Sequence, residues 1–155
     1  MHEVLLSESA EHTIRQAAKQ AHPAETGGVL LGVWARGRPW VTQAMVIAPE
    51  QPSPNRYVLP SGATHTAVAR GRQHDSRIGY LGDWHVHPAD IDVSPIDEST
   101  MKALTPDNPR AARSPVFLIA RRRSSDYELE AFEWRHERRR QLSVLRAGGL
   151  PAPPS

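Results

Sequence analysis

The sequence predicts one α/β (α+β) domain, a mixed β-sheet flanked by helices. Three observations predict it. Segments with helical spacing of apolar residues are interspersed with segments of strand character, the order that builds layered domains. The strand segments include a continuous apolar run, "SPVFLIARR", and an alternating one, "DYELEAFEWR", so the sheet has both buried and half-exposed strands. The length, 155 residues, suits one domain that buries about two-thirds of its unfolded surface. The structured part is expected over 1–147 and a flexible Pro-rich tail over 148–155.

Residues 7–20, "SESAEHTIRQAAKQ", read as a helix capped by Ser7 or Ser9, with Ile14, Ala17 and Ala18 as its apolar stripe and His22-Pro23 beyond its end. "GGVLLGVW" and "PWVTQAMVIAP" read as two strands joined by an "ARGR" turn. "PEQPSPN" is a loop and "RYVLP" a short strand. Residues 61–75 read as a helix begun by Ser61 and weakened by glycine. "RIGYLGDWHVHP" alternates and is rich in β-formers, so it reads as a strand. "SPIDESTMKALT" opens with Ser, Pro and then acids, the signature of a helix start. Residues 114–122 and 126–135 are strands joined by a turn. Residues 136–147, "HERRRQLSVLRA", read as a final helix stopped by Gly148 and Gly149.

Composition removes several chemistries. The chain has no cysteine, which excludes disulfides, thiolate metal sites and cysteine nucleophiles. The N-terminus lacks the basic start and apolar run of a signal peptide, and "GGVLLGVWA" is too short to span a bilayer, so a soluble cytoplasmic protein is expected. The formal charge is +2 with a pI of 9.4, and arginine supplies nearly all the positive charge. The runs "ARRRSSD" and "RHERRRQ" are flanked by acids, and no nucleic-acid motif accompanies them. They read as solvated faces, and a nucleic-acid partner is not expected.

The stretch "GDWHVHPADIDVSPIDEST" concentrates the chemistry. Residues two apart on a strand share a face, so His85 and His87 project together, and Pro88 ends the strand. Asp97 falls in the first turn of the following helix. Two imidazoles and a carboxylate make three ligands, the number with which catalytic zinc commonly binds while leaving one position open. A purely structural reading of "SPIDE" stands beside this, since Ser94 is a good N-cap and Asp97 and Glu98 favour a helix N-terminus. It leaves the paired histidines unexplained. Hydrolysis also needs a base, and Glu25, just before the glycine-rich strand start "TGGVLLG", is available, although a surface role is the ordinary fate of glutamate. His2, His12, His22, His65, His74 and His136 lack paired spacing and read as surface or cap residues. Asp83 can share a face with His85, and Trp84 points the other way, into the core.

A glutamate before "TGGVLLG", then H-x-H-P, then S-x-x-D, resembles the JAMM metalloproteases, the active MPN domains, and "YLGDWHVHP" is most similar to their compact prokaryotic members. The resemblance covers roughly residues 10–135. It implies that His85, His87 and Asp97 hold one Zn2+ per chain, that Glu25 is the general acid/base, and that the Ser94 hydroxyl stabilises the oxyanion. It implies a mixed sheet wrapped by helices, like that of cytidine deaminases. It implies hydrolysis of the bond after the C-terminal glycines of a ubiquitin-like protein, which would be the substrate partner. The sequence departs from the family's usual pattern in a His87-to-Ser94 gap one residue shorter, in Val93 for a frequent proline, and in Val86 for a frequent serine or threonine. The second, partly cysteine-held zinc of larger members is not expected. The alternatives are a zinc peptidase with another peptide substrate and a non-catalytic MPN scaffold. "LRAGG" at 145–149 is similar to the end of a ubiquitin-like protein, although a helix stop accounts for the two glycines.

Overall fold

The computed structural model describes residues 3–105 and 113–151; Met1 and His2, the stretch 106–112 and the tail residues 152–155 lie outside the described residues. The order is β1 (Glu3–Ser7), α1 (Glu8–Ala21), β2 (Gly27–Ala35), β3 (Arg38–Val46), α2 (Ala63–His74), β4 (Gly79–His87), α3 (Pro95–Leu104), β5 (Val116–Arg123), β6 (Asp126–Arg135) and β7 (Arg138–Ala147). The expected mixed sheet is present, and it closes on itself in the order β1-β3-β2-β4-β5-β6-β7. β4–β5, β1–β3 and β1–β7 are parallel, and the other neighbours are antiparallel.

Alternation explains how the closed sheet fills. Val4, Leu6, Leu30, Trp84, Val86, Leu118 and Ala120 point inward and are fully buried, together with Ile14 and Ala18 of α1. Each valine, leucine or isoleucine among them contributes about 1.5–3 kcal/mol by leaving water. Outward-facing residues are covered in two places. α2 covers Val29 and Leu31 with Ala67, and α3 covers Phe117, Ile119 and Phe132 with Met101. The histidine-bearing end of β4 lies between these two covered areas. At the other end of the covering scheme, Ser7 caps α1 by accepting from the Ala10 amide.

Four expectations are corrected. Residues 138–147 form a strand, not a helix: Leu142 and Val144 pack inward at period two, and the strand supplies the partners that β6 and β1 need to close the sheet. β1 was not anticipated; it is only five residues long, yet Val4 and Leu6 are fully buried. Residues 56–60 form no strand. α2 starts after Gly62, a left-handed residue at φ 79°, with no side-chain cap, so Ser61 does not begin it.

Gly28 sits where β2 meets both β3 and β4. A Cβ there would collide with the Met45 carbonyl and press on the Trp84 indole nitrogen. Gly28→Ala is therefore expected to destabilise the fold by about 2–3 kcal/mol, read from the midpoint of chemical denaturation.

Candidate metal centre

Sheet register brings the site together. Gly27 pairs with His85, and the Val86 amide donates to the Thr26 carbonyl at 2.9 Å. Continuing that ladder by one residue sets Glu25 opposite His87. Glu25, His85 and His87 therefore share the outward face, and one ligand atom from each lies within 4.8 Å of the others. The Glu25 amide donates to the Ser53 carbonyl at 2.7 Å, which fixes the residue under the Pro-rich loop.

α3 supplies the second carboxylate. The Ser94 hydroxyl accepts from the Asp97 amide, and the Asp97 carboxylate accepts from the Ser94 amide at 2.7 Å, a reciprocal capping box. The cap aims Asp97 at the histidines. Its Oδ1 lies 3.1 Å from His85 Nε2 and its Oδ2 lies 3.3 Å from His87 Nε2. The two Nε2 atoms are 3.1 Å apart. The structural and the chemical readings of "SPIDE" thus hold together, because one side chain serves both.

These distances suit a small cation. Three ligands on a tetrahedral ion with bonds of about 2.0–2.1 Å stand about 3.3–3.4 Å from one another. The His87 Nδ1 lies 3.2 Å from the Ile91 carbonyl, which can only accept, so the proton sits on Nδ1 and Nε2 turns its lone pair to the centre. The His87 lone pair, the His85 Nε2 atom and the Asp97 carboxylate then face one another, and positive charge between them relieves the arrangement. Titration expresses the same need. Burial opposes charge on both Asp97 and His87, yet the histidine contacts hold the Asp97 carboxyl well below the usual carboxylate range, and the Asp97 contacts raise His87 above its ordinary value.

Glu25 differs. It is 5% exposed, and burial, reduced in part by His87 and reinforced by Asp97, pushes its carboxyl up to about 7. Asp83, on the same face of β4, is pushed up to about 6 by burial, against a hydrogen bond from Tyr80. Trp84 is fully buried on the opposite face, as alternation requires.

The sequence-predicted residues Glu25, His85, His87, Ser94 and Asp97 all converge. The Ser94 hydroxyl donates to Asp97 Oδ2 at 2.9 Å, so in this arrangement it orients the carboxylate. Sequence reasoning missed the Ile91 and Ser53 carbonyls; backbone groups that depend on loop closure leave no side-chain signal. The two glycines near the C-terminus lie away from the site. Trp40 Nε1 donates to the Gly148 carbonyl at 3.0 Å and Arg77 to the Pro151 carbonyl at 2.6 Å. Trp40 pairs with Val33, six residues along β2 from the Gly27 level, about 20 Å of strand.

Comparison with known proteins agrees with this fold. The solution structure of protein DSY2949 from Desulfitobacterium hafniense has the same fold, with a TM-score of 0.75 at 19% identity over 95% of this chain and 94% of that one. No curated protein matches the chain. Residues 7–137 match the family described as prokaryotic homologs of the JAB domain, and with its β-sheet, helices and histidine–carboxylate cluster in place the chain belongs to that family.

Proposed function

We propose that the protein is a zinc-dependent isopeptidase or peptidase that hydrolyses the bond following the C-terminal glycines of a ubiquitin-like protein. One observation carries the reading: the two Nε2 atoms of His85 and His87 lie 3.1 Å apart and each faces one oxygen of the Asp97 carboxylate at 3.1–3.3 Å, with a second, buried carboxylate, Glu25, beside them. The donor set is nitrogen and oxygen without sulfur, which suits an open catalytic zinc site. His85, His87 and Asp97 would hold the ion; Asp97 is the carboxylate that touches both imidazoles. Bound there, zinc supplies Lewis-acid polarisation of water and of the scissile carbonyl. Glu25 takes the proton from the attacking water and returns it to the leaving amine, a role that its buried position beside the three ligands suits. The chain has no helix, among the described residues, long and apolar enough to cross a membrane.

The test is a ubiquitin-like domain joined through its terminal Gly-Gly to a reporter peptide. Cleavage is expected directly after the second glycine, lost on chelation and restored by zinc. Glycine lets an extended tail pass close to a metal, so replacing the last glycine with a bulky residue should abolish cleavage. Equal cleavage of both substrates would leave a general peptidase, and no cleavage of any peptide by the zinc-loaded protein would leave a scaffold.

Ser94 has a separable signature. Ser94→Ala is expected to lower turnover by about tenfold to a hundredfold and to weaken metal affinity as well, because the hydroxyl orients Asp97. Loss of the cap adds about 1 kcal/mol of instability, which Ser94→Asn or Ser94→Gly largely avoids. Turnover lost at unchanged metal affinity would assign the hydroxyl to the oxyanion, and equal activity of all three variants would reduce it to a cap.

A further inference from the structure

The two arginine runs, alike in sequence, go to opposite ends of the closed sheet. Arg121, Arg122 and Arg123 end β5 on the side of the metal centre, where Asp90 and Glu128 pair with Arg121 and Arg123, and His22 lies against Arg122. The far end collects the β2–β3 turn, the β6–β7 turn and the approach to β5, since the register places the C-terminal ends of β2 and β6 beside the N-terminal ends of β3, β4, β5 and β7. Arg36, Arg113, Arg135, Arg138 and Arg139 gather there, and none has an ion pair among the described residues. Arg38 and Arg140 do, with Glu3 at 3.4 Å and Glu133 at 3.9 Å. A small net charge of +2 thus hides a concentrated basic end.

Two further features narrow the partner. Arg113 lies over the Trp34 ring at 5.0 Å and Arg139 over the Phe132 ring at 5.2 Å. Each guanidinium is backed by an aromatic ring, and Arg113 is exposed while Arg139 is half-buried; planar cations so placed are a common platform for nucleobases. The turns project side chains from left-handed backbone, Arg36 at φ 53°, His136 at 54° and Glu137 at 59°, where glycine would be easier. Arg36 and Arg138 are exposed beside those tips.

From this convergence, which the separate sequence runs do not reveal, we infer that the end of the closed sheet opposite the metal centre binds single-stranded nucleic acid, with the unpaired arginines on phosphates and the ring-backed guanidiniums under bases. The inference is independent of the hydrolase reading. Its test is fluorescence anisotropy of the intact protein with a labelled 20-nucleotide single-stranded RNA. If about four phosphates are engaged, affinity should fall about 50-fold between 50 and 200 mM salt. The variant Arg36→Gln/Arg113→Gln/Arg138→Gln, all exposed positions, should bind at least tenfold more weakly with an unchanged melting temperature, and each single change should weaken binding less. Arg122→Gln/Arg123→Gln, at the metal-centre end, should bind as wild type does. Absence of binding at 50 mM salt, or equal binding by the triple variant, overturns the inference. Displacement of the RNA by poly-glutamate or anionic lipid vesicles at equal charge overturns it too, in favour of an acidic protein or a membrane surface.

Discussion

Glu25→Gln is expected to keep the fold and the metal while lowering turnover by about two to four orders of magnitude, because proton transfer alone is removed. Metal content with single-turnover hydrolysis checks it. Loss of zinc in the variant would make Glu25 a ligand, and full activity would place the base elsewhere. The same substitution should stabilise the metal-free protein. In the folded state the carboxyl is raised from 4.5 to about 7, so folded protein holds a proton that unfolded protein releases across that interval. Stability therefore falls as pH rises from about 4.5 to 7, by up to about 3 kcal/mol. Denaturation of metal-free protein at pH 8 should show the variant more stable, and at pH 4 nearly equal. The base would then be held at a cost to the fold, as catalytic groups often are.

The second large effect is on the metal. Wild-type protein reconstituted with zinc is expected to hold about one ion per chain, and His85→Ala or Asp97→Ala to hold none after dialysis, by elemental analysis. At free zinc near 1,000 times the dissociation constant, binding adds about 4 kcal/mol to stability. For a domain of this size that raises the melting temperature by roughly 8–16 °C, a shift the variants should lack. Asp97→Ala also removes half of the capping box, so its metal-free form should melt below that of His85→Ala. A wild-type protein that takes up no zinc would sink the hydrolase reading.

The site was legible because its parts are local. H-x-H on an alternating strand fixes a shared face, and S-x-x-D fixes a capped first turn, each within a few residues. Glu25 was legible through the glycines that follow it, which mark a crowded strand start. β7 was misread because arginine, glutamine and leucine favour helix locally, whereas its strand state is decided by β6 and β1. Closure of the sheet was invisible for the same reason, as was the gathering of Arg36 with Arg138. Pairing across more than a hundred residues leaves no periodicity in a short window.

The seam between β1 and β7 also sets the order in which this chain can fold. Glu3 pairs with Ser143, a separation of 143 − 3 = 140 positions. Closing so long a loop is entropically late, so the hairpins β2–β3, β5–β6 and β6–β7 can form while β1 still waits for its neighbour. On the ribosome the last seam cannot zip until residue 147 has left the exit tunnel. Until then β7's place stands open, with unpaired edges on β6 and β1 that invite association with other chains. Refolding yield should accordingly drop with protein concentration far more steeply than native solubility does.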